Sequence, residues 1–199
     1  MTRPLVRAVL FTRYPVAGEA KTRLIPAVGA QAAADIHAAL TLRTVDILKQ
    51  CDCHLEIAIT GAPIADFRKW LGEDICFKRQ QEGDLTDRLL AEIDPAPLIF
   101  FGSDTPDLSE DIVAEAIAAL GHHDLVVGPA EDGGYYLIGM RQAAAGLFTD
   151  MPWSTDKVLT QTLARAAALN MTVHQTRLLS DCDTPDDLKK WPWLNIWPA

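Results

Sequence analysis

Between residues 5 and 178, short apolar runs rich in β-branched side chains alternate with segments whose apolar residues recur at helical spacing. Most strands are thus followed by a helix that must pack on a sheet, and that pattern predicts an α/β layer fold with a mostly parallel sheet. Residues 5–12 are apolar almost throughout, as expected of a strand buried on both faces. Ala30–Gln50 follows as a helix, with Ala33, Ile36, Leu40, Thr44 and Ile47 on one stripe. Further strands are expected at 55–60, 75–79, Leu98–Phe101, 125–127, Tyr135–Met140 and 173–178, and helices at 66–71, 84–93 and around 113–120. Pro95 and Pro97 end the helix at 84–93, and Glu110 and Asp111 suit the first turn of the next, where the helix dipole favours acids. Ser154 reads as the N-cap of a helix through Leu169, with Trp153 and Val158 at staple positions. Thr184-Pro185-Asp186-Asp187 reads as a capping box with proline at the first helical position. Neither a repeat nor a linker interrupts the pattern, so one domain spanning 1–199 is expected.

Charge and cysteine usage narrow the partners. The net charge of −9 argues against a nucleic-acid surface, which needs a basic face to replace the counterions of phosphates. A few local cations are nevertheless enough for a small phosphorylated ligand. Cys51 and Cys53 stand too close for the usual zinc pair, and Cys76 and Cys182 are isolated, so the thiols are expected to be reduced and structural. No apolar run approaches the ~18 residues of a membrane helix. The N-terminal stretch lacks the apolar length of a signal peptide, and a cytoplasmic protein is expected.

Open α/β sheets bind ligands beyond the carboxyl ends of their strands, so the residues after each strand carry the argument. The first strand leads into Arg13-Tyr14-Pro15-Val16-Ala17-Gly18-Glu19-Ala20-Lys21-Thr22-Arg23, which gathers Arg13, Lys21 and Arg23 in an otherwise acidic chain. Arginine offers a planar fork and lysine a point charge to polyphosphate oxygens, although a solvated loop would look much the same. Its spacing is not that of a Walker loop. After Leu98–Phe101 comes Gly102-Ser103-Asp104-Thr105-Pro106. A carboxylate at the end of a buried strand is costly unless a cation answers it, and magnesium, held by one or two carboxylates plus phosphates and water, is such a cation. In Asp181-Cys182-Asp183, neither acid is explained by the cap that follows, and one of them, Asp183 by preference, would complete a metal site with Asp104. Glu131-Asp132-Gly133-Gly134-Tyr135 suits an acceptor pocket, with a carboxylate to take a proton and a ring to stack, and it is also an ordinary turn sequence. The five histidines show no ligand spacing and are read as structural.

Together, the segments FTRYPVAGEAKTRL at 11–24, FGSDTPDLS at 101–109, GPAEDGGYYLIGM at 128–140, WSTDKVLTQTL at 153–163 and DCDTPDDL at 181–188 resemble a bacterial glycosyltransferase-like family of the nucleotide-diphospho-sugar transferase superfamily. The resemblance covers nearly the whole chain. AKTRL is also similar to a segment of 2-phospholactate guanylyltransferase, and DCDTPDDL to the closing motif of molybdenum-cofactor nucleotidylyltransferases. What the resemblance implies is a three-layer α/β/α GT-A fold with a mixed, mostly parallel sheet, a nucleotide or nucleotide-sugar donor, a small-molecule acceptor and Mg2+ or Mn2+. On this basis Asp104 and Asp183 hold the metal, and Arg13, Gly18, Lys21, Thr22, Arg23 and Ser103 handle the donor phosphates. Glu131, Asp132, Gly133, Gly134, Tyr135, Trp153 and Ser154 face the acceptor, with Asp104, Asp132 and Lys21 at the reaction itself. Glu19 and Thr86 depart from the family, which carries lysine and glycine there.

Three functions follow in order of preference. They are metal-dependent glycosyl transfer from a nucleotide-diphospho-sugar, nucleotidylyl transfer from a nucleoside triphosphate to a phosphorylated metabolite, and non-catalytic nucleotide binding. The residues 191–198, rich in tryptophan, are expected to pack on the domain or to form a homodimer contact.

Overall fold

The computed structural model describes residues 5–194. In chain order the elements are β1 (Val6–Arg13), α1 (Ile25–Val28), α2 (Ala30–Gln50), β2 (Cys53–Thr60), α3 (Ile64–Leu71), β3 (Cys76–Arg79), α4 (Leu85–Ala91), β4 (Leu98–Phe101), α5 (Glu110–Ala119), β5 (Leu125–Pro129), β6 (Tyr135–Met140), α6 (Val158–Ala168), β7 (Val173–Gln175) and α7 (Pro185–Leu188). Single 3₁₀ turns sit at Thr22–Leu24, Ala145–Leu147 and Pro192–Leu194.

The strands form a seven-stranded sheet in the order β3-β2-β1-β4-β6-β5-β7. β1 pairs in parallel with β2 and with β4, while β6 runs antiparallel between β4 and β5. Successive side chains on a strand point to opposite faces, and the core divides accordingly. Ala8 and Leu10 of β1, Ile57 and Ile59 of β2, and Ile99 and Phe101 of β4 meet α2, α3 and α5 on one face. Val9, Ala58, Leu98 and Phe100 meet α4 and α6 on the other. The result is three layers, helix, sheet and helix, with the sheet mixed but mostly parallel. A third cluster joins Leu24, Ile36 and Leu40 to Cys182, Leu188, Trp191 and Leu194, so the C-terminal segment packs on α2. Trp193 is 46% exposed, with Arg43 over its ring; the remaining tail positions, 195–198, lie outside the described residues.

Three expectations need correction. The sixth helix begins at Val158 rather than just after Ser154. Ser154 lies in a turn at φ 61, and the Thr155 hydroxyl, not a Ser154 cap, accepts the Lys157 N–H. β7 stops at Gln175, leaving Leu178 exposed. The helix at 84–93 is shorter than expected, Leu85–Ala91, with a capping box between Asp84 and Asp87.

Candidate active site

The loops after β1 and β4 face each other because the order of the sheet reverses there. From β1 the chain moves outward to β2 and β3, and from β4 it moves the other way to β6, β5 and β7. A crevice opens beyond the carboxyl ends of two parallel strands at such a switch point. Arg13 ends β1, and Asp104 lies just past the end of β4. The third wall comes from residues 181–183, tied to the β4 loop by a hydrogen bond from the Cys182 N–H to the Asp104 carbonyl, 2.8 Å.

Lys21 sits at the centre. Its ammonium lies 2.6 Å from Oδ1 of Asp104 and 2.7 Å from Oδ1 of Asp183, and its side chain is only 5% exposed. Ala20 and Leu24, both buried, hold the backbone on either side. Lys21 itself adopts the left-handed conformation, φ 46 and ψ 46. A non-glycine residue in that region carries strain, and such residues gather at functional sites. Burial would depress the lysine pKa, but the charges of Asp104 and Asp183 outweigh it and raise the value. Burial likewise pushes Asp104 up, and the Lys21 ammonium more than reverses it, leaving the carboxyl below its ordinary value. Asp104 Oδ1 is enclosed, and the Lys21 ammonium answers it at 2.6 Å.

Arg13, Glu19, Thr22, Arg23 and His37 complete a polar cleft of about 260 Å³ around this cluster. Arg13 Nη1 donates to the Glu19 carbonyl at 2.5 Å and folds the loop on itself, while Arg23 reaches Asp183 at 3.7 Å. His37, read from sequence as structural, lines the cleft from α2, with Nε2 3.0 Å from the Arg13 carbonyl. Burial lowers its pKa despite the pull of Asp104. The available signal was its place on the apolar stripe of α2, beside Ile36 and Leu40, directly under the end of β1.

A second cavity of about 300 Å³ adjoins the first and shares Arg23 and Asp183 with it. Glu131, Asp132, Asp181 and Asp187 supply its other carboxylates. Glu131 is paired with Lys190 at 2.8 Å, and Asp187 is spent on capping α7. Asp132 Oδ1 accepts the Gly134 N–H at 2.8 Å. Gly133 shapes this turn: its φ is +86, and a Cβ there would stand 2.4 Å from the Asp156 carbonyl oxygen. Asp181 accepts from the Thr105 hydroxyl at 2.6 Å. Burial drives its pKa up to about 6, against the Thr105 bond and helped by Asp104, Asp132 and Asp183.

The remaining candidates lie apart from these two cavities. Ser103 is buried, and neither it nor Gly18 lines the cleft. Tyr135 packs edge-on against Trp153, which stacks on Phe148 and donates from Nε1 to the Thr86 hydroxyl, 2.8 Å. Tyr135 lines a small apolar cavity of about 140 Å³ with Phe11, Phe100 and Gly102. Gly134 joins Asp132 in the turn, and Ser154 belongs to the loop before α6.

Comparison with known proteins places this geometry. Residues 41–155 match the family described as uncharacterized proteins conserved in bacteria, DUF2064. A crystal structure from Desulfovibrio desulfuricans G20, provisionally assigned as a nucleotide-diphospho-sugar transferase, is 31% identical and has a TM-score of 0.86. The match covers 92% of this chain and 84% of that one. Rv0371c of Mycobacterium tuberculosis H37Rv in complex with manganese is 18% identical, with a TM-score of 0.57 over 94% of this chain and 97% of that one. CMP:2-keto-3-deoxy-manno-octonic acid synthetase complexed with CTP is 13% identical, with a TM-score of 0.61 over 96% of this chain and 98% of that one, and it shares the fold. No curated protein matches in sequence. The chain therefore belongs to the DUF2064 family and has the nucleotide-diphospho-sugar transferase fold.

Proposed function

We propose that this protein is a transferase that moves a glycosyl group from a nucleotide-diphospho-sugar to a small, uncharged hydroxyl acceptor. The observation that carries this reading is the pair of joined cavities, one lined by Arg13, Lys21 and Arg23 and the other by carboxylates. A diphosphate suits the first. The second disfavours a phosphorylated acceptor, since five carboxylates line it with Arg23, and Lys190 beside it is already paired with Glu131. It suits a polyol, whose hydroxyls those carboxylates can accept from.

In the transfer, the acceptor oxygen bonds to the anomeric carbon, and the bond from that carbon to the β-phosphate oxygen breaks. The electron pair leaves with the nucleoside diphosphate, and Asp132 takes the acceptor proton. Arg13, Lys21 and Arg23 stabilise the negative charge that grows on the departing diphosphate, the kind of preorganised electrostatics that contributes most to such barriers. Asp104 and Asp183 fit a hard divalent cation: both present carboxylate oxygen, and both already converge on one cationic group, the Lys21 ammonium. Among the described residues no group of three or more metal-ligating side chains converges, so the ion would be held by these two carboxylates together with donor phosphates. Mg2+ or Mn2+ bound there would supply Lewis-acid neutralisation of the diphosphate.

One observation favours a second reading, nucleotidylyl transfer. The carboxylate opposite Asp104 comes from the segment before α7, Asp183, and that is the pairing the resemblance assigns to nucleotidylyltransferases. Phosphorus NMR separates the two. With Mg2+, a panel of nucleotide-sugars and nucleoside triphosphates, and both polyol and sugar-phosphate acceptors, release of nucleoside diphosphate from the nucleotide-sugars is expected. Release of pyrophosphate would replace glycosyl by nucleotidylyl transfer, and binding without turnover would leave only a nucleotide-binding protein.

A further inference from the structure

Lys21 occupies the point between Asp104 and Asp183 at which a divalent cation would sit, with both contacts under 3 Å. We infer that Lys21 is an internal counter-ion that closes the metal seat until a polyphosphate draws it away, so the site accepts its metal as a metal–diphosphate complex and discriminates against the free ion. This deepens the reading above and rests on its assignment of the two carboxylates.

Three observations carry it. First, the ammonium answers both carboxylates at once, and a dication placed between the same oxygens would face a like charge at contact distance. Second, the backbone at Lys21 is fixed by buried Ala20 and Leu24, so exchange is a side-chain swing on a stationary loop. Third, the place to which the ammonium can swing is the cleft itself, which Arg13 and Arg23 also line. A diphosphate there offers Lys21 new partners as the metal takes the old ones. Free metal brings no such compensation, because it would leave a lysine ammonium stranded beside it.

The test is water-proton relaxation enhancement by Mn2+, measured on the whole protein with Mn2+ alone and with Mn2+ and inorganic pyrophosphate. Wild-type protein is expected to show enhancement with Mn2+–pyrophosphate at concentrations where Mn2+ alone gives almost none. Lys21→Met should bind Mn2+ alone at least about tenfold more tightly than wild type, a difference well beyond what surface substitutions cause. Lys21→Arg, which keeps the cation, should resemble wild type toward Mn2+ alone. Circular dichroism confirms folding, and Mn2+ should raise the melting temperature of Lys21→Met more than that of wild type. Equal Mn2+ affinity in wild type and Lys21→Met, lost in both on adding Asp104→Asn, overturns the counter-ion role and leaves the metal seat standing. Absence of Mn2+ binding in every form, with and without pyrophosphate, overturns the metal seat and the proposed chemistry with it.

Discussion

At the scale of single residues, the charges that the sequence disclosed are those that end strands, and the ones it concealed are those inside the sheet. Arg13, Lys21, Asp104 and Asp183 stand out because loops after strands are where ligands bind. The pairing of Lys21 with Asp183 spans 162 positions, and no local pattern encodes a contact of that length. A second ionic cluster escaped notice for the same reason. Arg7 of β1 pairs with Glu56 at 2.7 Å, Lys78 meets the same carboxylate at 2.7 Å, and Arg7 also donates to the Pro95 carbonyl at 2.8 Å. Read singly, each looks like an ordinary polar position on a strand. Burial alone would raise the Glu56 pKa, but the hydrogen bonds from Arg7 and Lys78 outweigh it and bring the value to about 2. A depressed carboxylate stabilises the fold fully above its unfolded value and loses that contribution as pH falls from about 4.5 through about 2. Glu56→Gln is therefore expected to cost about 1–3 kcal/mol at pH 7, because buried Arg7 loses its nearest carboxylate and keeps the more distant Glu92 at 3.6 Å. Urea unfolding at pH 7 and pH 2.5 checks this: the gap between variant and wild type should narrow at the lower pH, and a gap independent of pH would contradict the pairing.

At the scale of elements, α2 and the strands β4 and β6 follow the expected bounds, since long periodic helices and bounded apolar runs are governed by burial alone. The start of α6 was misread because its first turn is set by tertiary packing: the Leu159 N–H bonds to the Gly133 carbonyl across the molecule, and the chain from Trp153 to Asp156 is turn. By contrast, α7 starts where its local chemistry says. Asp187 Oδ2 accepts from the Thr184 and Asp183 backbone N–H groups, so the cap that begins the helix also holds the residue bearing the Asp183 carboxylate. Asp187→Ala should therefore do two things. It should lower stability by about 1 kcal/mol, as loss of a cap does, and it should weaken donor binding by loosening Asp183. Chemical denaturation together with a nucleotide titration measures both, and unchanged donor affinity would detach the cap from the site.

At the scale of the whole molecule, the order of the sheet creates the crevice and the C-terminal segment closes one side of it. Cys182, Leu188, Trp191 and Leu194 pack against Leu24 and α2, so the wall bearing Asp183 is fastened by a core of its own. The aromatic composition signalled packing in advance; the face it packs on depends on a path that returns across the sheet, which no sequence window shows. Trp191→Ala should cost about 3–5 kcal/mol, as deletion of a large buried ring does, and reduce donor affinity as well. An unfolding midpoint close to that of wild type would show that this segment is not part of the core. The central claim is that phosphates are clamped between Asp104, Asp183 and the cations of the first loop. Calorimetric titration of nucleoside di- and triphosphates into wild type and Asp104→Asn, each with Mg2+, tests it most directly. Saturable binding by wild type with at least about a 100-fold loss in the variant is predicted, a difference of roughly 2.7 kcal/mol; equal affinity in the two proteins would contradict it.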